Sequence, residues 1–186
     1  MYDDSDVDRL QQLQDSAERL AYSADWHPTE CGDSLMRISS DGRWWHQGTL
    51  INKAALVLLF SRLLRREGQQ YFLITPVEKL VIVVDDAPFV SIVTQVRGEG
   101  EQQCVYVTTN LGDSVLIGPE YPLTLALNPQ AQQMLPYVSI GAGLAVRLQR
   151  SDFYHLVEHS EERVLDGRSV MAVRSQGHWY SLGVLD

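Results

Sequence analysis

Two stretches carry residue types that could do chemistry. "TPVEKLVIVVDDAPF", residues 75–89, sets Glu78 and Lys79 on one side of an apolar run and Asp85 and Asp86 on the other. An acid–base pair facing two carboxylates is raw material for general acid–base catalysis. "HLVEH", residues 155–159, puts His155 and His159 four apart, on one face of a helix, with Glu158 available as a base. That is the inverted zinc-peptidase pattern. A zinc site normally needs a third protein ligand, and only 27 residues follow His159. Glu161 and Glu162 lie too close on the same helix to complete a tetrahedron. We therefore expect no metal there, only the polar face of an amphipathic helix.

Other motifs are weaker. "GAGLAV", residues 141–146, has two glycines of a dinucleotide loop but runs into a strand-like stretch, so it fails the structural context of that motif. Gly141 and Gly143 read as a bend. Cys104 sits inside an apolar strand, where a thiol behaves as a small hydrophobe. No GxxxxGK loop or GxSxG elbow occurs, and no cofactor is expected. Lys79, Arg97, Arg147, Arg150 and Arg174 fall at or near predicted strand ends. Two or three of them converging would make an anion pocket.

The whole chain sets limits on partners. Its 24 acidic residues outnumber 15 basic ones, for a net charge of −9. Binding to nucleic-acid backbone needs clustered Lys and Arg, which argues against that role but not against a small phosphorylated ligand. Cys31 and Cys104 are too few for a disulfide framework and fit a reduced, intracellular protein. "MYDDSDVDRL" lacks the basic-then-apolar order of a signal peptide, and "AALVLLF" is far short of a membrane span. The expectation is a cytoplasmic protein with no membrane span.

These residues need elements to position them. Val7, Leu10, Leu13, Ala17, Leu20 and Ala21 form a helical stripe over residues 1–23, capped by Asp4 or Ser5. From Ser34 a hairpin turns at Asp41-Gly42, with Trp44 and Trp45 on opposite faces of its second strand. "NKAALVLLFSRLLRREG" predicts a helix from Asn52 to the stop at Gly68, apolar almost all round. Short strands follow over residues 70–127. "RGEGEQQ", residues 97–103, reads as the interdomain linker. Asn128 and Pro129 predict the start of a short helix, "YVSIGAGLAVRLQ" a long or bent strand, and Ser151 the cap of a second helix. The end reads as a hairpin about Gln176-Gly177.

Residues 71–92 fall on 105–126 at an offset of 34 without a gap. Thr75 meets Thr109, Val81 meets Val115, Asp86 meets Glu120 and Pro88 meets Pro122. The match predicts a repeated strand–turn–strand unit, and it makes Asp85 and Asp86 turn residues rather than catalysts. Glu78 and Lys79 have no counterpart in "NLGD" and so belong to the first copy's surroundings.

"TPVEK" and "DDAPF" with their spacing, "GRWWHQGTLINKAALVLLFSRLLRREGQQYFLI" before them, and "RLQRSDFYHLVEHS" with "SQGHWYSLG" later resemble a bacterial family known as domain of unknown function 1285. The resemblance covers most of residues 34–184. The family's helix opens with isoleucine, a spacer and arginine, where this chain has Ile51-Asn52-Lys53. The resemblance implies a duplicated core of two related α+β domains, the second pleckstrin-homology-like. It also implies a nucleotide-like ligand at the domain interface, a signalling role and no catalytic activity.

The combined expectation is an α+β protein with antiparallel sheets and packed helices. It has a helix over 1–23, an N-terminal subdomain over 24–98 and a β-rich subdomain over 99–186. Its function would be non-enzymatic ligand binding or signalling, with a small anionic, nucleotide-like ligand at the subdomain interface and Trp45, Thr75, Glu78, Lys79, Arg150 and Tyr154 as site residues. Lys79 and Arg150 would meet negative charge, and Trp45 or Tyr154 would offer a stacking face. The rival readings are a protein-interaction module without a small ligand and a zinc hydrolase built on His155 and His159.

Overall fold

In the computed structural model of the protein, residues 26–185 are described. The helix expected over residues 1–23 lies outside the described residues. Of these, residues 26–39 and 43–85 form one unit, and residues 40–42 and 86–185 form a second.

The first unit begins with β1 (Glu30–Ile38), β2 (Trp44–His46) and β3 (Thr49–Leu50), paired antiparallel in succession. β1 carries an irregularity between Asp33 and Arg37, with Leu35 at a positive φ of 54°. Ser34 makes that kink tolerable: its hydroxyl donates to the Val81 carbonyl at 2.6 Å and accepts from the Met36 amide. Gln47 and Gly48 both have positive φ, as a two-residue hairpin turn requires. The two tryptophans divide as expected. Trp44 is buried and stacks on Phe60, while Trp45 is half-buried.

The helix after β3 is shorter than its pattern predicts. α1 spans Ala54–Leu63, with Lys53 rather than Asn52 as N-cap, and its last expected turn is instead strand β4 (Leu64–Glu67). Cross-strand pairing explains the switch. Leu64 pairs with Leu73, and β4 forms a hairpin with β5 (Gln70–Ile74) around Gly68, whose φ is 59°. The helix buries Val57, Phe60 and Leu63 along one face. β6 (Glu78–Val84) completes a six-stranded sheet of order β3-β2-β1-β6-β5-β4.

The second unit runs through β7 (Phe89–Arg97), β8 (Cys104–Thr109), β9 (Ser114–Leu116), β10 (Leu123–Asn128), β11 (Gln133–Ser139) and β12 (Ala145–Arg147). It continues with α2 (Arg150–Glu158) and a three-stranded sheet of β13 (Glu161–Leu165), β14 (Arg168–Ser175) and β15 (His178–Val184). The unit boundary falls at Asp85–Asp86, not at residue 98. Residues 97–103, read as a linker, close the β7–β8 hairpin through a 3-10 turn at Gly100–Gln102.

Three further expectations are corrected. No helix starts at Asn128. Its carboxamide oxygen accepts from the amides of Gln130 and Ala131 and caps the β10–β11 turn instead. The long strand expected after it is two antiparallel strands, β11 and β12, reversed through Gly141, Ala142 and Gly143, all at positive φ. α2 starts at Arg150 after Gln149, so Ser151 lies inside the helix rather than capping it. The terminal hairpin about Gln176-Gly177 forms as expected.

The described residues are mostly strand, arranged in two similar sheet-dominated units. The second six-stranded sheet has order β10-β11-β12-β7-β8-β9. In each unit the first and sixth strands pair parallel at the centre, β1 with β6 and β7 with β12, and the other strands fan outward antiparallel. This likeness is not the one at offset 34. That offset lays β5 and β6, the fifth and sixth strands of one sheet, over β8 and β9, the second and third of the other. β6 is central and β9 is an edge strand, so their connectivity differs. What recurs is local turn chemistry. Thr75 Oγ1 accepts from the Val77 and Glu78 amides, and Thr109 Oγ1 accepts from those of Leu111 and Asp113. Among the described residues no helix is long and apolar enough to cross a membrane.

A buried hydroxyl helps tie the three-stranded sheet to β8, beside the bonds that Gln103 makes to Arg174 and Gln176. Ser175 is fully buried, donates to the Ile117 carbonyl at 2.6 Å and accepts from the Val105 amide at 2.9 Å. Ser175→Ala orphans both backbone groups, each at about 1–3 kcal/mol. Urea unfolding should show a loss of about 2–4 kcal/mol, against little change for Ser181→Ala, whose hydroxyl ties no such pair.

Candidate functional site

The second unit contains a cleft of about 630 Å³. Its walls come from the β10–β11 hairpin, the end of β12, the start of α2 and the residues that lead into β7. β12 lies parallel to the start of β7, with Arg147 paired to Val90. That register brings Arg147 to Asp86, three residues before β7 begins. Its Nε lies 2.8 Å from Asp86 Oδ2, and the side chains are 21% and 9% exposed. The N–H is not aimed at the carboxylate, so this contact is an ion pair rather than an aligned hydrogen bond. Arg147 Nη2 donates to the Ser40 carbonyl at 2.8 Å.

Two neighbours complete the network. The Tyr137 hydroxyl donates to Asp86 Oδ1 at 2.7 Å, and Asn128 Nδ2 donates to that hydroxyl at 3.2 Å. Burial pushes the Tyr137 phenol up to about 12. The Asn128 bond and the Arg147 charge pull it down, while the bond to Asp86 and that carboxylate's charge push it further up.

α2 presents the other wall. Its first turn is fastened to β7 by a buried carboxylate: Asp152 accepts from the Ser91 and Thr94 hydroxyls. Ser91 Oγ also accepts from the Gln149 amide at 2.8 Å, and Gln149 Nε2 donates to the Ser91 carbonyl. This holds Arg150, Phe153 and Tyr154 along the cleft. Arg150 Nε and Nη2 both donate to the Tyr154 hydroxyl, at 3.1 and 2.9 Å. Among the described residues no carboxylate pairs with Arg150.

Of the residues expected from sequence, Arg150 and Tyr154 are brought together here. The other four lie in the first unit. Trp45 donates its indole N–H to Ser39 Oγ at 2.9 Å. Thr75 is buried and closes the turn to Glu78, the half-buried first residue of β6. Lys79 is ion-paired with Glu67, and its ammonium lies 4.1 Å from the Phe72 ring centroid. His159 is the C-cap of α2 rather than a residue of its body, and its Nδ1 lies 2.9 Å from the His155 carbonyl oxygen. Among the described residues no group of three or more His, Cys, Asp or Glu side chains could hold a metal ion.

Asp86, Tyr137 and Asn128 were not expected in a site. Asp86 reads as a turn residue because it lies in the bend between β6 and β7, and Asn128 as a helix cap because its carboxamide does cap backbone amides. Arg147 was legible only as one of several cations at strand ends.

The raised phenol has a measurable consequence. A tyrosine whose folded pKa lies above the ordinary 10 keeps its full stabilising contribution below pH 10 and loses it as pH rises towards about 12. The alkaline fall in stability across that window should therefore be shallower in Tyr137→Phe than in wild type. Absorbance titration near 295 nm should show the loss of the highest-titrating phenol. Loss instead of a phenol titrating near the ordinary value of about 10 would place Tyr137 among the unshifted tyrosines.

The family model for the N-terminal domain of Domain of unknown function (DUF1285) matches residues 23–87, and that for the DUF1285 C-terminal domain matches residues 88–182. Their junction lies within two residues of the boundary between the structural units. Among solved structures, a DUF1285 family protein from Silicibacter pomeroyi DSS-3 is 36% identical, with a TM-score of 0.83 and 95% of each chain covered. A DUF1285 family protein from Shewanella baltica OS155 is 27% identical, with a TM-score of 0.52, and the match covers 67% of this chain and 91% of that one. Comparison with curated proteins gives no match. With both family domains matched in order and a relative sharing over a third of its residues along nearly its whole length, the chain belongs to the DUF1285 family.

Proposed function

We propose that the protein is a non-catalytic binding module that holds a small anionic ligand in the cleft of its second unit. The carrying observation is Arg150, which lines the cleft and, among the described residues, donates from its side chain only to the Tyr154 phenol. An arginine in such a site gains most from an anionic acceptor, because charge-assisted hydrogen bonds are roughly twice as strong as neutral ones. The nucleotide-like ligand that the family implies falls within the same broad class. The signalling role, the pleckstrin-homology likeness of the second unit and the cytoplasmic location go with this reading.

The lining favours binding over catalysis. Among the described residues no histidine or cysteine lines the cleft, and the lining carboxylate, Asp86, is already engaged by Arg147 and Tyr137. A general base needs a free basic atom within reach of the proton it removes. Lys79 is engaged by Glu67, so the proposal rests on Arg150.

A thermal-shift screen of small carboxylates, phosphates and nucleotides tests this. A ligand at 100 times its dissociation constant stabilises a fold by about 2.7 kcal/mol, which for a chain of this size is a shift of about 5–10 °C. Arg150→Ala should remove most of the shift and leave the unliganded melting temperature nearly unchanged, because Arg150 is exposed. Lys79→Ala should leave the shift in place; a lost shift would bring Lys79 into the site. A screen with no shift at all would favour the protein-interaction reading.

A further inference from the structure

The next inference rests on the anion-binding reading and narrows it to one class of ligand. Among the described residues, the charged ones lining the cleft are Asp86, Arg147 and Arg150. Asp86 and Arg147 offset one another at 2.8 Å, which leaves a single positive charge, on Arg150, for a ligand. A terminal phosphate carries close to two negative charges at neutral pH. It would bring more charge than the cleft balances, with the Asp86 carboxylate opposing the excess. A carboxylate brings one.

The guanidinium geometry agrees with the charge count. Nε and Nη2 of Arg150 form the edge that takes a carboxylate through two parallel hydrogen bonds. Here both donors converge on one oxygen, the Tyr154 hydroxyl. A phenol gives that edge one neutral acceptor where a carboxylate would give two charged ones. Tyr154 is 51% exposed and on the same helix, so its hydroxyl can yield its place without disturbing the core. Met134, Leu135 and Phe153 add apolar wall, and the exposed Gln130 and Gln133 flank it with amides.

We infer that the cleft receives a small monocarboxylate with an apolar or aromatic body, whose carboxylate replaces the Tyr154 hydroxyl on the Nε/Nη2 edge of Arg150. Tyr154 holds the guanidinium in position in the empty cleft and competes with the ligand for it.

The test uses three probes of matched shape: phenylacetate, phenyl phosphate and phenylacetamide. Each is titrated into the 15N-labelled full chain while the Arg150 Nε–Hε resonance, assigned with Arg150→Lys, is followed. Phenylacetate should shift that resonance saturably and bind at least about ten-fold more tightly than phenyl phosphate, and phenylacetamide should leave it in place. Arg150→Lys keeps the charge but loses the fork, and should weaken phenylacetate by about ten-fold or more. Tyr154→Phe removes the competing oxygen and should tighten phenylacetate by about two- to five-fold. Weaker or unchanged binding in Tyr154→Phe would overturn the displacement. Phenyl phosphate binding as tightly as phenylacetate would overturn the carboxylate assignment and leave the anion site standing. An Arg150 resonance unmoved by all three probes would remove the anion site itself.

Discussion

Parallel pairing of the first and sixth strands is the constraint on which both sheets depend. A parallel pair cannot be closed by a short hairpin, so the chain must travel away and return. In each unit it does so through four intervening strands that fan to either side. In the second unit the pair is short, with Val146 beside Phe89 and Arg147 beside Val90. That register fixes the chemistry near it. It sets Arg147 against Asp86 and delivers the chain to β7, where Ser91 accepts the Gln149 amide and donates to Asp152. The first turn of α2, and with it Arg150 and Tyr154, is therefore positioned by a strand roughly 60 residues earlier in sequence.

The polar floor of the cleft carries an energetic cost that its connectivity offsets. Removing a carboxylate and a guanidinium from water costs several kcal/mol for each ion after relaxation. Asp86 recovers part of this from Arg147 and part from the Tyr137 hydroxyl. Tyr137 accepts in turn from Asn128, whose carboxamide oxygen caps the β10–β11 turn. The network ties the entry to β7, the β10–β11 hairpin and β12 to one another. A connected network of this kind specifies a conformation more than it adds stability, all the more because the Arg147 Nε–H stays without an aligned acceptor. It also withdraws Asp86 and Arg147 from a ligand's reach, so that Arg150 differs from them in availability rather than in kind.

How much of this was legible in the sequence depends on range. Patterns that rest on neighbouring residues read correctly: the Asp41-Gly42 and Gln176-Gly177 hairpins, the opposite fates of Trp44 and Trp45, and the strands from β5 to β10. Elements decided by distant partners did not. Residues 64–67 have good helical character, but pairing of Leu64 with Leu73 makes them strand. Asn128-Pro129 has the chemistry of a helix start, and its carboxamide does cap backbone amides, but those of a hairpin turn. The match at offset 34 is a real likeness of threonine-capped turns at positions that are not equivalent in the two sheets. In the site, Arg150 and Tyr154 stand four apart on one helix and were within reach of a sequence argument. Asp86, Tyr137 and Arg147 meet only through the sheet, and no local spacing announces them.

The anion site proposed for a chain of net charge −9 meets a physical objection, which screening answers. At physiological ionic strength the Debye length is about 8 Å, so acids farther away contribute little to the potential in the cleft. What matters is the local balance, and among the described residues that line the cleft two guanidinium groups outnumber one carboxylate. The remote acids act on the encounter instead, slowing the approach of a highly charged anion more than that of a singly charged one. Local stoichiometry and overall charge thus select in the same direction. A cleft with one unspent cation, in a protein that repels polyanions, is suited to a ligand carrying one negative charge and drawing the rest of its affinity from the surface of Met134, Leu135 and Phe153.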